Sequence, residues 1–186
     1  MEKDSVVSQK YTYRYRMIVF PLIICLCFFT PIKSQQVRAY TLQGSYIQNK
    51  TASFRWGNTS SAITTAWNSA LNSWATASSA NIYNSTYSSN ILTSYIALSS
   101  PKYGELVYDN AGGYYILQFT GYINMAITAN QTNATVRQST ACHEIGHLLG
   151  LDDLTSGTAI MNVNRTRTAI YTPKQDDKNG VSAVYS

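Results

Sequence analysis

Only two histidines occur in the chain, and they stand four residues apart with a glutamate directly after the first: His143-Glu144-Ile145-Gly146-His147. Residues scattered at ordinary frequencies of a few per cent would produce that arrangement about once in a thousand chains. Four residues are close to one helical turn, so on a helix both imidazoles project from the same face. From there they can reach one zinc ion at about 2.0–2.1 Å each, with Glu144 placed to act on water rather than on the metal. The opposite face is supplied as well. Ala141, Cys142, Ile145, Leu148 and Leu149 form an apolar stripe, so one side of the helix can be buried while the other looks into a cleft. The plainer alternative is an ordinary helix that happens to carry two histidines.

The residues that follow extend the pattern. Gly150 can adopt the left-handed conformation that ends a helix and turns the chain back. Six residues beyond His147 stands Asp153, whose carboxylate is a sound third zinc ligand. Asp152 is its competitor, and the spacing favours Asp153. No glutamate follows Glu144, which removes zinc sites that take a later glutamate. Asp176 and Asp177 remain as distant donors that the nearer aspartate makes unnecessary.

Composition bounds the rest. A chain of 186 residues with 45% hydrophobic and 12% charged residues can bury a core and fits one domain. The formal charge of +5 is concentrated before Tyr40, since eight Lys/Arg face seven Asp/Glu from there onward. A nucleic-acid partner is therefore not expected. Met17 to Ile32 is an apolar run flanked by Arg14, Arg16 and Lys33, too short to span the roughly 30 Å hydrocarbon core. It reads as a secretory signal peptide occupying residues 1–39, with cleavage near Ser34 or Ala39. An uncleaved anchor is the alternative. Once the leader is removed, no stable membrane association is expected. Of the cysteines, Cys25 and Cys27 lie in the apolar run and only Cys142 remains, which leaves no intrachain disulfide. Cys142 points about 100° away from His143 on a helix and reads as a small buried hydrophobe.

Along residues 40–186 no repeat or linker interrupts the pattern. Ser53–Trp56 alternates and closes at Gly57-Asn58, as a short strand does. Ile63, Ala66, Trp67, Ala70, Leu71 and Trp74 recur at helical spacing and predict a core-facing helix over Ala62–Trp74. Ile91–Leu98, Tyr114–Phe119 and Tyr122–Met125 read as strand material. The loop Asp109–Gly113 has one carboxylate, too few to argue calcium. Thr132-Asn133 supplies capping chemistry for a helix running to about Leu149. Near the end, Thr172 as cap, Pro173 at the first helical position and Gln175 closing a capping box predict a last helix buried through Val181, Val184 and Tyr185.

His-Glu-x-x-His-x-x-Gly-x-x-Asp resembles the extended zinc motif of metzincin-type metalloproteases, in the matrixin-like or snapalysin-like variant with aspartate as third ligand. Ala159-Ile160-Met161-Asn162 is similar to the Met-turn of that group, and the tail from Thr172 is similar to the closing helix of matrixin-like domains. The usual metzincin has a third histidine where Asp153 stands. Val163 occupies the place where some carry an oxyanion-stabilising tyrosine.

The resemblance implies an α+β, zincin-like domain over residues 40–186. It would hold a twisted mixed sheet, an active-site helix, a Met-turn and a C-terminal helix. It implies one catalytic Zn²⁺ held by His143, His147 and Asp153, with Glu144 as general base and then acid in peptide-bond hydrolysis. Protein or peptide substrates would pair with the strand before the active helix, over Tyr114–Met125. The expected product is a secreted, extracellular, monomeric zinc metalloendopeptidase. Its rival from another class is a non-catalytic secreted surface or adhesion module, suggested by the Ser/Thr/Asn/Tyr-rich composition.

Overall fold

A computed structural model describes residues 40–186; the expected leader and its cleavage sites lie outside them. Five strands form one sheet: β1 (Thr51–Trp56), β2 (Asn81–Asn84), β3 (Ile91–Tyr95), β4 (Gly104–Asp109) and β5 (Gln118–Asn124). Their spatial order is β2-β1-β3-β5-β4, with β4 antiparallel to β5 and the other pairs parallel. The helices are α1 (Ser61–Ser78), the short α2 (Thr128–Thr132), α3 (Ala134–Leu148) and α4 (Gln175–Val184). Among the described residues, no helix is long and apolar enough to cross a membrane. The arrangement is α+β, as expected.

The stripe read from α1 is its buried face. Ile63, Ala66, Trp67, Ala70, Leu71 and Trp74 all turn inward, and the helix runs one turn beyond Trp74 to Ser78. Both indoles end in a hydrogen bond, as buried tryptophans require. Trp67 Nε1 donates to the Thr93 carbonyl at 3.1 Å, tying α1 to the sheet. Trp74 Nε1 donates to the Cys142 carbonyl at 2.8 Å, tying α1 to α3. Cys142 is itself fully buried, as its place on α3 predicted.

Strand β3 stops at Tyr95, short of Leu98. The chain beyond it leaves the sheet and is held instead by Asn124, whose side chain bonds Ala97 and the Lys102 carbonyl. Asn130, wholly buried, donates to the Tyr103 and Asn124 carbonyls. These two amides fix where β4 begins. Tyr114–Leu117 is not sheet; Tyr46 bridges to Tyr115 there instead. The strand that follows, β5, lies between β3 and β4, so both of its edges are already paired. The expectation that Tyr114–Met125 meets a substrate is therefore corrected: the open edge on this side of the sheet is β4, with β2 at the far side.

The N-terminal segment of the described chain closes over the end of α3. Gln43 N–H donates to the Gly150 carbonyl and Asp152 N–H to the Thr41 carbonyl, both at 2.9 Å. The last helix starts later than expected. Lys174 is its N-cap, and Asp177, not Gln175, accepts the Lys174 amide at 2.7 Å.

Candidate metal centre

Asn133 caps α3 as predicted, accepting the Thr135 and Val136 amides. The helix then carries His143, Glu144 and His147 out over the sheet edge and stops at Leu148. Gly150, at φ +91°, reverses the chain. That reversal brings Asp153 back onto the histidine face. Its Oδ1 lies 3.0 Å from His143 Nε2 and 3.6 Å from His147 Nε2. Two ligands each about 2.0–2.1 Å from a tetrahedral zinc lie roughly 3.3 Å apart, and the two observed separations bracket that value. Asp152 turns elsewhere, accepting the Asp153 amide. Asp177 spends its carboxylate on the backbone amides of Ile160, Met161 and Lys174, and neither it nor Asp176 joins the cluster.

The hydrogen bonds explain why these three atoms want a cation. His143 Nδ1 lies 3.0 Å from the Ile160 carbonyl, and His147 Nδ1 lies 2.8 Å from the Leu151 carbonyl. A carbonyl only accepts, and at His143 it lies nearer than the Arg165 Nη1 donor at 3.3 Å. The carbonyls therefore favour the proton on Nδ1 of both rings and a bare lone pair at Nε2. Those lone pairs face a carboxylate. A proton is a poor bridge there, because burial above all pushes the His143 pKa down to about 4. The donor set fits a zinc ion: two neutral imidazoles and one carboxylate, converging in a cleft.

Below the histidines runs the turn that carries Met161. It is buried, and a side-chain carbon on Gly146 would strike its sulfur. Only a glycine lets the thioether pack this tightly under α3. Ile160 and Met161 are held from the other side by Asp177, whose carboxylate accepts their amides at 2.8 and 3.3 Å. The expected Met-turn is thus present and anchored to α4.

Glu144 lies at the cleft floor beneath the start of β4, 4% exposed. A Cβ on Gly104 would come within 2.7 Å of its Oε1, so the glycine opens the space that the carboxylate occupies. Burial first, and then the Asp153 charge, push its pKa up to about 8. The cleft itself measures about 640 Å³ and is bordered by residues 101–106, the α3 face and residues 163–167.

One contributor was not read from the sequence. Arg165 is buried beside His143, and its guanidinium donates to Ser139 Oγ at 3.0 Å, the Ser139 carbonyl at 2.9 Å and the Asn162 carbonyl at 3.0 Å. It ties the segment after the Met-turn to α3. No spacing rule links Arg165 to Ser139; only the tertiary fold does.

A family model for matrixins, the M10 peptidases, matches residues 46–186. The chain belongs to the matrixin family. No curated protein matches it. Among solved structures it is similar to "GM1 bound form of the ECX AB5 holotoxin", at 14% identity and a TM-score of 0.55 over 78% of this chain and 86% of that one. That likeness speaks to the fold alone. Matrixins are zinc-dependent metalloproteases, and the cluster of His143, His147 and Asp153 in this matrixin suits that metal.

Proposed function

We propose that this matrixin is a secreted zinc metalloendopeptidase in which His143, His147 and Asp153 hold the ion and Glu144 moves the proton. One observation carries the reading. Two imidazole nitrogens and a carboxylate oxygen converge within 4.8 Å of one another at a cleft, with the Glu144 carboxyl group beside them and an unpaired strand edge above. A zinc ion bound there supplies Lewis acidity, polarising the scissile carbonyl and acidifying a water.

The chain's own groups account for the remaining steps. Strand β4 has one edge on β5 and one free, so an extended peptide can add to it by backbone hydrogen bonds. That addition lays the peptide across Glu144, because β4 begins over that residue. The Glu144 carboxylate takes a proton from the attacking water as the new C–O bond forms. It returns that proton to the amide nitrogen as the C–N bond breaks. Cleft walls from residues 101–106 and 163–167 keep the carboxylate away from bulk water. The usual third histidine is replaced by Asp153. A negatively charged ligand lowers the site's net charge and makes the metal a weaker Lewis acid.

Secretion is supported by the apolar run Met17–Ile32 with its basic flanks, and a monomer working on protein or peptide substrates is the simplest form. The test uses purified protein and unfolded protein substrates. Glu144→Ala is expected to lose proteolysis while keeping one zinc per chain. Wild-type protein that holds zinc yet cleaves none of a varied substrate set would return the reading to a non-catalytic surface module. N-terminal sequencing of exported protein checks the leader.

A further inference from the structure

Three cations border the cleft outside the metal cluster, and two are already engaged. Lys102 Nζ pairs with Glu105 at 2.8 Å. Arg165 gives its hydrogens to Ser139 and Asn162. Arg167 differs. Its guanidinium carbon lies 3.8 Å from the centroid of the Tyr103 ring, a stacking that fixes the plane of the group. Nη1 reaches only the Val163 carbonyl, at 3.4 Å. Nε is shielded from solvent without an acceptor. Among the described residues, no carboxylate forms an ion pair with Arg167. A planar, half-buried, unpaired guanidinium is an unfavourable object until a planar anion meets it.

We propose that Arg167, held flat on Tyr103, is a specificity-determining residue that takes a substrate carboxylate on the leaving-amine side of the cleaved bond. The proposal rests on the endopeptidase reading above. Strand β4 runs from Gly104, over Glu144, away to Asp109. A peptide added antiparallel to it, the better hydrogen-bonded mode, directs its C-terminal half toward Gly104 and on to Tyr103. The residue after the scissile bond therefore arrives where Arg167 stands. Of the three acids of the cleft, Glu105 is held by Lys102 and Asp153 faces the imidazoles. Glu144 attracts Arg167 without forming an ion pair with it, which leaves the guanidinium's hydrogen-bonding edge to the substrate. A carboxylate there has two sources, the side chain of an aspartate or glutamate, or the free C-terminus of a short peptide.

Matched peptides carrying Glu, Gln or Lys just after the cleaved bond, each as free acid and as C-terminal amide, separate these sources. Binding is titrated on zinc-loaded Glu144→Gln protein, and cleavage is followed with wild type. The expected result is a preference of about 10- to 100-fold for Glu over Gln in Kd and in kcat/KM. That ratio should fall to near one when Arg167→Gln is added and turn toward Lys with Arg167→Glu, a gain that misfolding does not produce. A preference that follows the free acid over the amide, whatever the side chain, assigns the subsite to a terminal carboxylate. Equal binding of Glu and Gln and of acid and amide overturns the proposal, as does a preference that survives Arg167→Gln. Because the titration needs no turnover, a binding preference without any cleavage would overturn the endopeptidase reading and leave Arg167 in place.

Discussion

Asp177 and His143 grip the two ends of one residue: the Asp177 carboxylate accepts the Ile160 amide at 2.8 Å, and the Ile160 carbonyl accepts the His143 Nδ1–H at 3.0 Å. The last helix therefore sets the tautomer of a ring on α3. Asp177 also accepts the amides of Met161 and Lys174, so one buried carboxylate serves three donors. Asp177→Asn places an N–H where an acceptor is required. Stability should fall by about 2–4 kcal/mol, and zinc affinity by about tenfold, as for other groups that orient a ligand. Denaturant melts and a competitive zinc titration read the two effects; an unchanged zinc affinity would break the proposed relay.

The donor set makes a second prediction. Asp153→Ala should weaken zinc binding by more than about 100-fold, beyond what outer partners account for. Asp153→His should keep a one-to-one zinc signal, since an imidazole is an equally competent ligand. Asp152→Ala should leave zinc content unchanged. Metal analysis of the three proteins after exhaustive dialysis decides between the adjacent aspartates.

Glu144 provides a pH prediction for the metal-free protein. Its folded pKa is raised to about 8 from an ordinary 4.5. Between those values the folded state binds the extra proton, so stability from this group is complete below 4.5 and is lost as pH rises toward 8. Glu144→Gln does not titrate. The metal-free variant should therefore gain on metal-free wild type across that window, reaching a few kcal/mol near pH 8. Zinc should shrink the gap, because a nearby cation favours the carboxylate. Thermal melts at pH 4.5, 6 and 8 with and without zinc test the sign, and a gap that narrows as pH rises would contradict it.

A fourth prediction concerns the free edge of β4. Strand addition relies on peptide backbone N–H groups. A cleaved peptide methylated on backbone nitrogens beside the scissile bond should lose at least about tenfold in kcat/KM, with the same side chains present. Methylation several residues away should change little. Equal rates for all three peptides would place substrate recognition elsewhere.

The zinc motif and α1 were legible because each writes its geometry into local spacing, and the Met-turn was legible only through its resemblance to that of metzincins. His143 and His147 are a turn apart, and the tryptophans of α1 recur at helical intervals. Strands β2 and β4 left no such mark. β2 is mostly exposed, with the sequence Asn81-Ile82-Tyr83-Asn84, and β4 is an edge strand with one partner, so neither needs an alternating apolar face. The same physics misdirected the substrate strand. Within Tyr114–Met125, Phe119 and Ile123 are apolar because β5 lies inside the sheet, whereas Tyr114, Tyr115 and Leu117 precede the strand and are exposed. The pairing of both β5 edges is what denies it a substrate. The cap of α4 moved because Asp177 must serve the Met-turn as well as its own helix, a demand invisible from Thr172 to Gln175. Arg165 and Arg167 are recognisable only once residues 163–167 lie beside residues 101–106.

The pairing of Thr41 and Gln43 with Asp152 and Gly150 bears on how the amino end can be trimmed. The loop that delivers Asp153 is buttressed by residues hardly past the expected cut. A cut at the expected Ala39 would spare that buttress, whereas trimming a few residues further would detach it. Maturation and metal retention would then be governed by the same short stretch of backbone.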